Sequence, residues 1–577
     1  MKLNVTRSVL GQAWRWRDER ALAADDLVAQ LLLARGCPPH DLDRHRTPTL
    51  RDWMPDPSTF RDMDAAAARV ADAVLGGEAV TIFGDYDVDG ATSAALLVRL
   101  FRQLGLAPAV YIPDRLTEGY GPSGLALRRI AADGASLVIT VDCGAQAFDA
   151  LEEAADAGVD VIVVDHHKCA ARLPRALAVV NPNRLDEDAE HGHLAAVGVA
   201  FLLAAAVVRE LRRRGWFAER LEPKLLELLD LVALGTVADV ASLHGLNRAF
   251  VTQGLKVMGG RRSVGLAALI DASRLSRAPL CHDLGFALGP RINAGGRVGA
   301  ADLGVRLLTT ECAHEAATLA AELDRLNEDR RVIEAEALAE AEAQAAGQGD
   351  RAVIVVAGER WHPGVIGIVA GRLKEKFGRP ALVIALGDDG VGKGSGRSIS
   401  GVDLGAAVLA AKDEGLLAAG GGHAMAAGVT VAADGVAALA EYLEGRLNRD
   451  VARAREDKHL LLDAMVAPGG VTADLVEALD GGGPFGVGWP APRVAAGPVR
   501  IVKADVVGNG HVRAVLAGED GRSVKSVAFR AADGALGQAL LGAGRERRLW
   551  VAGRVKLDDW NGRRAAELHT EDAAWCD

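Results

Sequence analysis

Ala79-Val80-Thr81-Ile82-Phe83-Gly84-Asp85-Tyr86-Asp87-Val88-Asp89-Gly90 opens as a short apolar run, turns at a glycine and closes on three alternating aspartates. The amphipathic stretch Ala91–Gly105 comes next, followed by the apolar run Ala109–Pro113, the amphipathic Ser123–Gly134, and the apolar runs Ser136–Val141 and Asp160–Val164. Short apolar runs alternating with helical periodicity are the signature of β-α-β units, which predicts a mainly parallel sheet with helices on its faces. Aspartates and histidines stand at the ends of these runs. Asp85, Asp87 and Asp89 follow the first, Asp142 follows Leu137–Val141, and Asp165-His166-His167 follow Asp160–Val164. In an open α/β sheet ligands bind beyond the carboxyl ends of the strands, so three separate runs deliver oxygen and imidazole donors to one crevice. Asp239, at the end of the apolar Gly235-Thr236-Val237-Ala238, is a fourth candidate.

Crowded carboxylates repel unless cations neutralise them, and oxygen with imidazole donors suits Mn²⁺ or Mg²⁺ better than thiolate-loving metals. Two such ions side by side are the established arrangement for phosphate-ester hydrolysis. An EF-hand reading of Asp85–Gly90 fails, because Leu96 stands where the loop needs its glutamate and a strand, not a helix, precedes it.

Outward from this core, residues 1–78 read as helices and loops broken by Pro38, Pro48, Pro55 and Pro57, an N-terminal extension packing on a catalytic domain at 79–302. Residues 303–347 form a connector in which the charged pattern from Ala313, free of Gly and Pro until Gly347, predicts one long helix. A second α/β domain spans 348–455, and alternating strands with turn glycines over 456–577 predict a small all-β barrel.

The chain has 577 residues, half of them hydrophobic and a quarter charged, which excludes wholesale disorder. A net charge of -11 excludes a generally basic nucleic-acid coat, so any nucleic-acid contact requires a localised positive groove. The six cysteines are scattered without a C-x-x-C pair, which argues against a thiolate zinc site and for a reducing cytoplasm. The most apolar run, Leu194–Val208, is too short to span a bilayer.

The segments D-Y-D-V-D-G, V-D-C-G, D-H-H and G-T-V-A-D-V resemble, in order, the four motifs of the DHH phosphoesterase superfamily. Gly289–Arg297, Trp361–Val369 and Gly420–Gly428 are similar to segments of its RecJ-type exonucleases and their DHH-associated (DHHA1) domain. The resemblance implies that Asp87 and Asp142 hold one ion while Asp89, Asp142, His166 and Asp239 hold the other, with Asp85 and His167 in support and His167 near the scissile phosphate. It further implies that Arg115, Ser395 and Arg397 grip a terminal 5′-phosphate, that Arg291, Asn293 and His423 line the substrate path, and that the barrel is an OB-like single-strand-binding module with Trp550 or Trp560 as stacking platforms. The expected protein is a monomeric, metal-dependent exonuclease that degrades single-stranded DNA from its 5′ end in repair and recombination, alongside a helicase and a single-strand-binding protein. A phosphodiesterase acting on short oligonucleotides, or a non-catalytic DNA-binding scaffold, are the alternatives. One departure stands out: Trp489 occupies the asparagine position of the family's G-P-F-G-x-G-N-P segment.

Overall fold

The computed structural model describes residues 3–576 except 25, 116, 544–546 and 559–564. The chain divides into two compact units, one comprising Met1–Met54, Ser242–Thr252 and Lys458–Asp577, the other Pro55–Ala241 and Gln253–Asp457.

The larger unit is built on a five-stranded parallel sheet in the spatial order Ala109–Tyr111, Val80–Gly84, Leu137–Val141, Asp160–Val164, Ala178–Val180. The chain moves outward from the first strand to Ala109–Tyr111 and then reverses to Leu137–Val141, so the topological switch point lies between the strands that end at Asp85 and Asp142. Strands Val80–Gly84 and Leu137–Val141 are buried along their whole length, which explains their nearly continuous apolar sequence, broken only by Thr81 and Thr140. The Leu194–Val208 run falls in the buried helix Ala196–Arg213. Among the described residues no helix is long and apolar enough to cross a membrane.

The long helix predicted within the connector spans 35 residues, Ala313–Gly347. Ala337, Ala341 and Ala345 on its C-terminal half pack with Ile354 of a second sheet and with Trp361 and Val365 of the segment that follows that strand, small residues letting the backbones approach. That sheet is mixed, ordered Ala419–His423, Ala426–Ala432, Val391–Arg397, Ala381–Leu386, Ile354–Gly358.

In the smaller unit, strands Val494–Val507, His511–Ala517, Ser523–Ala528, Ala565–Trp575 and Leu549–Asp558 pair in that order, and the last pairs back onto the first, closing the barrel. The N-terminal segment departs from expectation. Residues 1–54 belong with this barrel unit, not with the catalytic domain, and Ala13–Trp16 pairs in parallel with His459–Leu462. Strand pairing over such sequence separation leaves no local signal.

Trp489 is the largest side chain fully buried among the described residues. Its ring stacks on His45 at 6.0 Å, lies 4.5 Å from the Arg248 guanidinium, and its Nε1 donates to Gly482 O at 2.9 Å. The departure from asparagine is therefore a core substitution that fills volume. Trp489→Ala is expected to destabilise this unit by about 3–5 kcal/mol, measured by denaturant unfolding, whereas Trp489→Phe should recover most of the loss.

Candidate metal centre

Each donor is positioned by local backbone chemistry. Asp87 caps helix Val88–Gln103, its Oδ1 accepting the N–H groups of Asp89 and Gly90 at 2.9 and 3.1 Å. Gly90 is obligatory, because a Cβ there would sit 2.4 Å from Asp85 O. Asp89, buried in the first turn, accepts from Ala196 N at 2.7 Å and Val197 N at 3.0 Å, so it also holds the start of helix Ala196–Arg213. Asp142 adopts a left-handed φ of 60° immediately after its strand, a conformation that aspartate tolerates better than most residues and that strands seldom use. Asp239 arrives at the C-terminal end of helix Leu229–Ala238, so the fourth contribution comes from a helix terminus. Gly235 in that helix lets it approach, since a Cβ would fall 2.9 Å from Asp89 Oδ1.

The His pair is held from behind. Asp165, fully buried, accepts from His166 N at 2.7 Å, His167 N at 3.1 Å and His167 Nδ1 at 2.8 Å through Oδ1, and from Ala145 N at 3.0 Å through Oδ2. His166 Nδ1 lies 3.0 Å from Leu194 O, which as acceptor assigns the proton to Nδ1 and leaves Nε2 with its lone pair facing the carboxylates. Asn181 and Asn183 donate to the carbonyls of His167 and His166.

The resulting cluster is compact. His166 Nε2 is 3.3 Å from Asp142 Oδ1 and 4.0 Å from Asp89 Oδ2, and His166 Nδ1 is 3.9 Å from Asp239 Oδ2. Ligand atoms of Asp85, Asp87 and Asp142 lie within 4.8 Å of one another, as do those of Asp89, His166 and Asp239, and those of Asp142, His166 and His167. Burial, reinforced by Asp87, drives Asp85 well above the ordinary carboxylate range and Asp89 up to about 7. Burial and then Asp89 carry Asp239 to about 9 and push Asp142 strongly upward. His166 falls to about 4 through burial and the neighbouring His167. Burial opposes charge on both Asp165 and His167, but their mutual hydrogen bond and attraction win, lowering Asp165 and raising His167.

Asp85 Oδ1, Asp142 Oδ1 and His166 Nε2 are buried without a hydrogen-bond partner. Orphaned buried acceptors are costly, and three at one crevice, all oxygen or imidazole, fit divalent cations of the Mn²⁺ or Mg²⁺ type.

Beside this cluster lies a concentration of arginines. The Arg115 guanidinium stands 5.0 Å from the Tyr86 ring. Arg397 Nη1 donates to Ser395 Oγ at 3.2 Å and Gly396 O at 2.8 Å, and both side chains meet Gly367 in the first turn of helix Ile366–Phe377. Arg297 donates to Gly364 O at 2.7 Å. Burial, together with the like charges of Arg115 and Arg330, lowers Arg297 to about 10, and burial with Arg115 lowers Arg397 and His362. Guanidiniums that repel one another at a helix N-terminus suit an anion.

The other residues singled out from sequence are placed differently. Arg291 is committed to an ion pair with Asp324 at 2.8 Å and to Ala287 O at 2.7 Å, so it fastens its own helix to the connector. Asn293 is partly buried on that helix. His423 is exposed at the end of the edge strand Ala419–His423, and the cross-strand row His423, Ala426, Arg397 puts it on the same line as one of the clustered arginines. Trp550 is buried in the barrel unit and Trp560 lies outside the described residues. Among the described residues Phe529 is an exposed aromatic of the barrel unit, its ring met edge-on by His511 at 5.2 Å and His569 at 4.9 Å. Asp165 belongs to the D-H-H segment and Arg297 to the Gly289–Arg297 segment, but neither segment gives these residues their roles, and Phe529 carries no sequence signal that distinguishes it. Arg291 and Arg297 share one helical segment, and only packing decides which of them turns toward the site.

Residues 79–236 match the DHH family, N-terminal domain, residues 349–449 the DHHA1 domain and residues 462–572 the RecJ OB domain. The single-stranded-DNA-specific exonuclease RecJ of Dickeya dadantii is 40% identical over 457 residues, covering 77% of this chain and 79% of the relative. That of Bacillus subtilis is 35% identical, covering 95% of this chain and 68% of the relative. The crystal structure of RecJ in complex with Mn²⁺ from Thermus thermophilus superposes with a TM-score of 0.79 at 30% identity, covering 96% of this chain and 76% of that one. With the aspartate–histidine cage at the switch point of the sheet and the DHH, DHHA1 and RecJ OB domains in succession, this chain belongs to the RecJ family of DHH phosphoesterases.

Proposed function

We propose that this protein is a metal-dependent exonuclease that hydrolyses single-stranded DNA from the 5′ end to 5′-mononucleotides in DNA repair and recombination. The observation that carries the reading is the coincidence, within one unit, of three orphaned buried ligand atoms and a group of arginines with an anion-binding geometry. Asp85, Asp87 and Asp142 would hold one ion, and Asp89, His166 and Asp239, with Asp142 shared, the other. Ions so held supply Lewis-acid charge to the phosphate and lower the pKa of the attacking water. His167, held by Asp165, offers its Nε2 face to the scissile phosphate as a hydrogen-bond donor. Arg115, Arg397 and Ser395, with Arg297 beside them, bind the terminal phosphate bidentately, so the bond cut is the one a fixed distance from the 5′ end.

An end-labelled digestion comparing 5′ with 3′ label, on single-stranded DNA, duplex DNA and RNA, tests polarity and strand preference together; equal rates on blunt duplex would refute the single-strand reading. Arg397→Ala should lower kcat/KM on a 5′-phosphorylated strand by about 10–30-fold and leave a 5′-hydroxyl strand nearly unaffected. Phe529→Ala should weaken equilibrium binding of long single strands by about 5- to 100-fold, measured by fluorescence anisotropy. The chain is expected to work in the cytoplasm as a monomer on strands exposed by a helicase and covered by a single-strand-binding protein.

A further inference from the structure

Tyr120 stands between two glycines in the left-handed region, Gly119 at φ 86° and Gly121 at φ 78°, in the loop after Arg115. A side chain at either neighbour would be strained, so this turn presents one aromatic and nothing else. The residue is 53% exposed, yet its hydroxyl reaches inward. It donates to the main-chain carbonyl of Asp142 at 2.9 Å and lies 3.1 Å from His167 Nδ1, whose N–H is shared between the tyrosine oxygen and Asp165 Oδ1. The ring also meets His167 edge-on at 5.7 Å.

These contacts fall on two residues with different duties. Asp142 has a left-handed backbone, which local sterics disfavour for a residue with a side chain, and a bond to its carbonyl from outside the strand holds that peptide in place. His167 faces the crevice with its side chain 38% exposed, and its ring orientation depends on what fixes Nδ1. We infer that Tyr120 is a positioning residue that latches the shared aspartate Asp142 and the phosphate-facing His167 to one another through its hydroxyl. The inference rests on the metal-cage reading above, and it concerns the hydroxyl alone. The exposed ring merely carries that hydroxyl across the mouth of the crevice.

Tyr120→Phe deletes the oxygen and keeps the ring, and with half the residue in solvent it should melt within a degree or two of the unaltered chain. Calorimetric titration of the full chain with MnCl₂ should show affinity reduced by about 5- to 10-fold, the size of one lost hydrogen bond. On a 5′-phosphorylated single strand kcat should fall by a similar factor with KM changed less than about twofold. Tyr120→Ala should fall at least as far in both measurements. A phenylalanine variant equal to the unaltered chain in Mn²⁺ affinity and kcat overturns the inference, as does a loss confined to the alanine variant, which would assign the role to ring packing. An unaltered chain that binds Mn²⁺ and cleaves nothing would sink the nuclease reading instead, and the calorimetric arm still decides the latch.

Discussion

Asp142→Ala eliminates Mn²⁺-dependent hydrolysis, with a fall of at least about 1,000-fold, because the stabilisation a metal centre gives a phosphoryl transition state amounts to several kcal/mol. No other carboxylate in the cluster is placed as this one is. Its Oδ1 is buried and unpartnered, it approaches His166 Nε2 at 3.3 Å, and it belongs both to the group with Asp85 and Asp87 and to the group with His166 and His167. Removing it takes a donor from both sides of the cage at once. The variant should still fold, since the change deletes a buried, crowded charge without opening a large cavity. Mn²⁺ should raise the melting temperature of the unaltered chain, worth about 2.7 kcal/mol at a hundredfold excess over Kd, and do so far less in the variant. Retained Mn²⁺ stabilisation and retained hydrolysis together would mean that Asp142 is not a ligand. EDTA should reproduce the inactivity in the unaltered protein, and added Mn²⁺ should reverse it.

Asp165→Asn should cost about 10- to 100-fold in Mn²⁺ affinity or in kcat, although Asp165 reaches no ligand position of its own. Its Oδ1 gathers both histidine N–H groups and His167 Nδ1, and its Oδ2 takes Ala145 N. An amide has one acceptor oxygen and no charge, so it cannot serve all four donors, and its NH₂ turns toward donors it cannot satisfy. The carboxylate charge that raises His167 against the opposing effect of burial is lost as well. Asp165→Glu would keep the charge but lengthen the arm in a site with no free space, and should not restore activity. An asparagine variant with unchanged Mn²⁺ titration and unchanged kcat would show that the other contacts, from Asn181, Asn183, Leu194 and Tyr120, hold the histidine pair without the Asp165 carboxylate.

Much of the catalytic domain was legible in the order of its residues. A parallel sheet buried on both faces forces apolar strands, and the rule that ligands gather at their carboxyl ends turns Asp85, Asp142 and His166 into neighbours although they are far apart in the chain. The connector helix was equally plain, because a long stretch without glycine or proline carrying helical periodicity has few alternatives; it runs from Ala313 to Gly347 as expected. Less legible were features fixed by facing. Arg291 and Arg297 look equivalent in sequence, yet one is neutralised by Asp324 and the other joins the arginine cluster. Trp550 and Phe529 are both aromatic residues in barrel sequence, and only closure of the barrel buries the first and leaves the second exposed.

Periodicity and strand ends are local, and local chemistry is enough to specify the sheet, the aspartate–histidine set and the class of ion they suit. Tertiary packing alone decided that residues 1–54 join the barrel unit through pairing of Ala13–Trp16 with His459–Leu462, that Trp489 is a core residue, that Asp165 accepts from both histidines, and that the Tyr120 hydroxyl reaches His167. The reason is one of range: a hydrogen bond or a buried ring between distant segments leaves no trace in the spacing of either segment, and comes into being only when the chain has closed on itself.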